Sequence, residues 1–423
     1  MSKKSLISKF DSLIESNTLR NSWTIFQSFI LRLVVQGVYF VILARSFEPA
    51  RYGAYVGIVA IVSIFIPFAS WGSGEVLIQN VSRDRSLFRE YWGTAILKIL
   101  LFGSLFISLI LIVYRFIAIP NISIYAVFLV ALSNLIFLRL NDAARDAFIA
   151  IGSMGYTAKS IVLVSLNRFF AAIVFLTCFE NPSILIWCAL YCFATFVSSV
   201  ATSFLLVRQM TYPKFNFSKI TSELRLGLSF AVGISAQNIY NDLDKSMLAK
   251  LSTLEATGIY GVAYHILNVS FTPILSVALA SFSKFFQQGA KGIKGSFALC
   301  KKLLPMSCGY SLAAIVGIFI FSPLIPKILG SQYQDSVYAL LWLSPTIIFR
   351  TMHLFAADTL TGANHQGART FTQVLVAAIN GLLNLWLIPR YGWHGAIWAT
   401  ITSEFLLMVF LWGAIYKYSR QST

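Results

Sequence analysis

Residues 92–114 read WGTAILKILLFGSLFISLILIVY, a run whose single charge is Lys98. As a helix rising 1.5 Å per residue it is about 34 Å long, enough to cross the ~30 Å hydrocarbon core of a bilayer. Runs of the same kind fill the chain on both sides of it. Before it lie Trp23–Ala44 and Ala54–Ile78; after it come Ile122–Leu140, Ile161–Phe179 and Ile184–Val207. Beyond a polar gap follow Leu226–Leu248, Ile259–Phe282, Leu303–Phe321, Val337–Phe355, Phe371–Ile388 and His394–Tyr416. Since backbone polar groups in lipid must be satisfied within the segment, these runs predict an all-α integral membrane protein of about twelve spans. The spans use up the 423 residues and leave no room for a sizeable soluble domain.

Charge distribution supports this reading and removes a competing one. Only 12% of residues are charged, yet the net charge is +17, a balance that can signal nucleic-acid binding. With the N-terminus placed in the cytoplasm, 21 of the 33 Lys and Arg fall in alternate gaps on the inner side, 6 on the outer side and 6 within spans. That asymmetry is the positive-inside pattern and predicts both termini in the cytoplasm. The excess charge then meets anionic headgroups and needs no nucleic acid. The basic start, with Leu6, Phe10, Leu13 and Ile14 at helical spacing, reads as an interfacial lead-in. The five cysteines form no metal-like cluster and read as small buried residues.

The two halves repeat each other. Gly53-Ala54-Tyr55 and Gly258-Ile259-Tyr260 are offset by 205, and the mid-span prolines Pro67 and Pro273 by 206. The segment 152–160, GSMGYTAKS, aligns with 362–370, GANHQGART, at an offset of 210. Six spans per half preserve orientation, so the expected relation is a parallel pseudo-twofold about the membrane normal, with substrate held between halves that rock in alternation. The expected division is a lead-in over 1–21, an N-terminal lobe over 22–207, a linker over 208–225, a C-terminal lobe over 226–416 and a tail over 417–423. Pro67 and Pro273 are the hinge candidates, because a mid-span proline frees a carbonyl and bends its helix.

An ionisable group at mid-membrane costs at least about 2.5–3.5 kcal/mol, so depth selects the candidates. Arg32 lies about eleven residues into the first span and Arg168 about eleven residues past Thr157 in the fifth, both close to the midplane at 1.5 Å per residue. Arg350 is also deep, with His353 one turn on, and Glu404 is near the middle of the last span. Lys98 and Arg139 stand within about two turns of the inner surface, where a long side chain can snorkel. In the seventh span Gln237, Asn238, Asn241, Asp242, Asp244 and Lys245 share roughly 160° of a helical wheel, and Asp242 and Lys245 can pair at i,i+3. The deep cations Arg32, Arg168, Lys245 and Arg350, with Lys98 and Arg139 as further candidates, predict a cationic chamber. Guanidinium forks match phosphate oxygens, so the expected cargo is an anion bearing phosphate. Asp242, Asp244 and Glu404 are the candidates for carrying a coupling ion. No catalytic constellation and no phosphate-binding glycine loop with its lysine are present, so the chain reads as a transporter rather than an enzyme, without a cofactor.

Three stretches carry a resemblance: Leu43 to Tyr55, LARSFEPARYGAY; Asp244 to Leu248, DKSML, leading to Gly258 to Tyr264, GIYGVAY; and Asn384 to Ala396, NLWLIPRYGWHGA. In order and spacing they resemble the polysaccharide-transport flippases of O-antigen and capsule pathways, within the multidrug/oligosaccharidyl-lipid/polysaccharide exporter superfamily. The resemblance implies a MATE-like fold of two six-helix lobes in a bacterial inner membrane. It implies transfer of an undecaprenyl-diphosphate-linked oligosaccharide to the outer leaflet, driven by an ion gradient or the membrane potential. It further implies a polysaccharide polymerase and a chain-length regulator as partners. A cavity cation in the first helix is a family feature, and Arg32 matches it. The first helix lacks the acid that many drug-exporting relatives carry. The rival readings are a cation-coupled multidrug exporter of the same fold and a membrane glycan polymerase or ligase; the short outer connections disfavour the enzyme.

Overall fold

The computed structural model describes residues 27–28, 30–81, 84–117, 119, 122–179, 183–217, 220, 224, 228, 231, 242–290 and 292–421. Every regular element among them is helical. In chain order these are α1 (30–46), α2 (Pro49–Ser70), α3 (Ser73–Val81), α4 (Phe88–Ile117), α5 (Ile124–Leu132), α6 (Leu138–Ala150), α7 (Met154–Cys178), α8 (Ile184–Gln209), α9 (242–251), α10 (Leu254–Gly289), α11 (Ile293–Phe321), α12 (Gln334–Leu343), α13 (Thr346–Gly362) and α14 (Gln366–Gln421). The lead-in and the polar stripe residues Gln237, Asn238 and Asn241 lie outside the described residues.

Among the described residues eight helices are long and apolar enough to span, or nine if α12 and α13, bent by 46° at a short break, form one. Pro345 stands in that break and explains it, because proline removes a donor and clashes with the preceding turn. The 56 residues of α14 hold two spans. A straight helix of that length would run about 84 Å, but Gly392 adopts φ 55°, ψ −130° and interrupts it. The chain doubles back there, since Asn380 donates to Ser403 Oγ at 3.0 Å across 23 residues of sequence. The surfaces left over are apolar: Leu101, Leu105, Ile112 and Phe116 of α4 are exposed on one stripe. In a bilayer such a stripe is ordinary solvent contact.

The described residues fall into two compact units. The first takes residues up to Leu43 and from Phe65 to Ser235; the second takes Ala44–Ile64 and everything from Ala236 on. In the first, α3, α4 and α6 pack a core around Leu77, Trp92, Ala144 and Phe148. In the second, α13 and α14 meet around Ala356, Leu360, Val376 and Leu407. The second span is therefore shared: the first part of α2, up to Ile64, packs with the C-terminal half. The contact responsible is close and reciprocal. A Cβ on Gly53 would overlap the Leu254 carbonyl oxygen, and a Cβ on Gly258 would overlap that of Pro49. Gly53 and Gly258 stand at the repeat offset of 205, as do Pro49 and Leu254, and as do Val56 and Gly261, which touch each other. Reciprocity of this kind is what a twofold relation produces. Only glycine lets two backbones approach so closely.

Neither candidate hinge proline interrupts its helix: Pro67 sits inside α2 and Pro273 inside α10. The break comes four residues after Pro67, at Trp71 (φ 48°) and Gly72 (φ 62°), between α2 and α3. A left-handed tryptophan is strained by about 1–3 kcal/mol. It is held by stacking on Phe102 with centroids 4.3 Å apart and by its indole N–H donating to Leu224 O at 3.0 Å.

Gly53→Val and Gly258→Val are expected to lower the unfolding temperature of detergent-purified protein, because overpacking of this kind costs about 1–3 kcal/mol. Gly309→Ala, at a helical glycine with nothing within 4 Å, should leave it unchanged or raise it slightly.

Candidate functional site

Three helices of the first unit build a cavity of about 330 Å³. From α1 come Arg32, Gln36 and Tyr39, at i, i+4 and i+7 on one face. From α7 come Ile161, Val164, Ser165 and Arg168, again at helical spacing. From α6 come Leu138, Arg139, Asn141, Asp142 and Arg145. The last set follows a π-helical turn, Ser133–Phe137, in the middle of the fourth span. A π-turn inserts a residue and shifts the phase of every side chain after it. The turn is fixed by its own polar residue: Asn134 donates to Val130 O at 3.1 Å and accepts from Tyr191 Oη at 2.9 Å.

Four guanidiniums thus meet one carboxylate. Asp142 pairs with Arg139 and with Arg145 Nη1 at 2.7 Å. Arg145 also reaches Asp146 at 3.4 Å. Arg168 lies over the Tyr191 ring at 4.4 Å. Arg139 Nε is buried with no hydrogen-bond partner among the described residues. Arg32 is exposed toward the cavity. The formal charge of the lining is +3 from Arg32, Arg139, Arg145 and Arg168 against Asp142. Such a set can grip an anion with two or more oxygens, since each guanidinium offers five donors in a planar fork.

The second unit treats its deep charges differently. Lys245 Nζ is 2.6 Å from Asp242 Oδ1 and lies 4.0 Å over the Tyr264 ring. Asp242 also accepts from Ser63 Oγ at 2.9 Å. Asp244 accepts from Tyr260 Oη, which stands 3.0 Å from Thr400 Oγ1, and from the Lys245 amide at 2.7 Å. Arg350 Nε lies 3.6 Å from Glu404 Oε1, its Nη1 donates to Asn268 at 2.8 Å, and its plane faces Phe271 at 4.7 Å. His353 Nε2 is 2.7 Å from the other Glu404 oxygen. Lys245 and Arg350 thus stand among three carboxylates, Asp242, Asp244 and Glu404.

The sequence candidates thus separate. Arg32, Arg139 and Arg168 share the first cavity. Lys245, Arg350, Asp242, Asp244 and Glu404 belong to the second unit, where each cation has its own carboxylate. Lys98 does not snorkel: it is fully buried beside Trp92, Ala95 and Ile99 and does not line the cavity. Arg139 does not snorkel either, because Asp142 holds it at the cavity. Sequence reading missed Arg145, which it assigned to an inner loop, and Asp142. Their spacing with Arg139 at i, i+3 and i+6 on one face was the available signal.

Comparison with known proteins follows the same lines. A relative in Haloferax volcanii, a probable low-salt glycan biosynthesis flippase, is 25% identical over 191 residues, covering 45% of this chain and 39% of that one. An inward-facing multidrug resistance transporter of the MATE family superposes with a TM-score of 0.75 at 13% identity, covering 93% of this chain and 99% of that one. The lipid II flippase MurJ, inward closed, gives a TM-score of 0.75 at 11% identity, covering 94% and 87%. The fold is therefore MATE-like, as the sequence resemblance implied. The profile of the polysaccharide biosynthesis protein family matches residues 18–286, well over half the chain, and on that match the chain belongs to that family.

Proposed function

We propose that this chain is a flippase that moves an undecaprenyl-diphosphate-linked oligosaccharide, such as an O-antigen repeat unit, from the cytoplasmic to the periplasmic leaflet of a bacterial inner membrane by alternating access. The observation that carries the reading is the four-arginine cavity within membrane-spanning helices. Guanidiniums are tolerated at that depth when they face one another only if an anion joins them. A diphosphate supplies paired oxygens for bidentate contact, and a polar glycan in a watery chamber avoids the cost of crossing hydrocarbon. The family and the resemblance to a probable glycan biosynthesis flippase support a glycan-bearing cargo. Transport of this kind makes and breaks no covalent bond.

The cations divide unequally in this reading. The diphosphate docks on Arg32, Arg139, Arg145 and Arg168, and the paired charges of the second unit serve coupling to an ion gradient or the membrane potential through Asp242, Asp244 and Glu404. A polymerase and a chain-length regulator would receive the product.

Arg32→Ala and Arg168→Ala should abolish surface glycan in a deletion strain while the protein still accumulates, with lipid-linked repeats building up on the inner leaflet. Full glycan with both replaced, or efficient transport of organic cations instead, would overturn the docking site. Lys245→Met should leave binding of farnesyl diphosphate to purified protein within about threefold, yet destabilise the fold by about 3–5 kcal/mol, as breaking a buried pair does. Adding Asp242→Asn should recover part of that loss in a thermal unfolding assay.

A further inference from the structure

Among the described residues that line the arginine cavity, Asp142 is the one acid. Its position is unexpected in a site that attracts anions, because its charge opposes any anionic ligand. It is not incidental, since its two oxygens hold two different arginines: Oδ2 takes Arg139 and Oδ1 takes Arg145 Nη1 at 2.7 Å. The neighbouring Asp146 cannot take over this role. It reaches Arg145 only at 3.4 Å and is crowded by the first turn of α3, where a Cβ on Gly74 would overlap its Oδ2.

We propose that Asp142 is a resident competitor that occupies Arg139 and Arg145 while the cavity is empty, yields them to the incoming diphosphate, and reclaims them as the diphosphate leaves. This rests on the reading of the cavity as a diphosphate site. A carboxylate and a phosphate present the same paired oxygens to a guanidinium, so one replaces the other without leaving a donor bare. Two half-buried arginines with no anion would be left without a counter-charge in the empty state. With Asp142 present, Arg139 and Arg145 face an anionic group in both the loaded and the empty states. Four arginines with no competitor would hold the headgroup too tightly for turnover, and the carboxylate restores release.

The direction of the effect separates this role from a positioning one. In titrations of the reconstituted full-length protein with farnesyl diphosphate, Asp142→Asn is expected to bind at least about tenfold more tightly, equivalent to 1.4 kcal/mol. Its dissociation rate should fall, and in flipping assays both KM and kcat should fall together. Asp142→Glu, which keeps the carboxylate, should stay near wild type, and Asp142→Ser gives the same readout should the Asn variant fail to accumulate. Weaker or unchanged affinity in the Asn or Ser variant, with the wild type binding normally, would overturn the competitor and leave the docking site standing. Failure of the wild type to bind farnesyl diphosphate would overturn both.

Discussion

A charged group cannot be left alone in hydrocarbon, and the interior of this protein is organised around that constraint. Each deep cation meets one of two fates. In the second unit Lys245 and Arg350 each have a carboxylate and an aromatic face, and hydroxyls or amides take up the remaining valences. That group is closed on itself. In the first unit four arginines share Asp142 around an open cavity. The deep cations of the two units thus differ in the number of carboxylates beside them.

The α2–α3 stretch bears on both charged groups. Ser63 donates to Asp242, the partner of Lys245, and Gly74 packs on Asp146, a partner of Arg145. Between these two points lie Pro67 and the left-handed pair Trp71–Gly72. The strain at Trp71 is local and is held by one stacked ring and one hydrogen bond. A helix broken at Trp71–Gly72 is a different device from a proline kink, since it changes direction through backbone conformation rather than through a missing donor.

Much of the fold was legible because hydrocarbon acts on sequence one segment at a time. Apolar length marks each span, and the offset of 205 between Gly53 and Gly258 announced the repeat that the reciprocal contact displays. The pairing of Asp242 with Lys245 also followed from i,i+3 spacing alone. The site was only partly legible. Depth picked out Arg32 and Arg168, which share a cavity in the first unit, and Lys245 and Arg350, which each meet a carboxylate in the second. Lys98 looked like a snorkelling residue by position and is buried.

The sequence by itself determined the helical class, the internal repeat and the short inventory of charges that demand an explanation, because each can be read along the chain without knowing which helices meet. Tertiary structure alone decided which of those charges meet. The π-turn at Ser133–Phe137 sets the rotation of Arg139, Asp142 and Arg145, the break at Gly392 folds Asn380 back onto Ser403, and the glycine contact sends the start of α2 to the other half. These are matters of helix phase and neighbour, and a pattern of residues along a single helix contains neither.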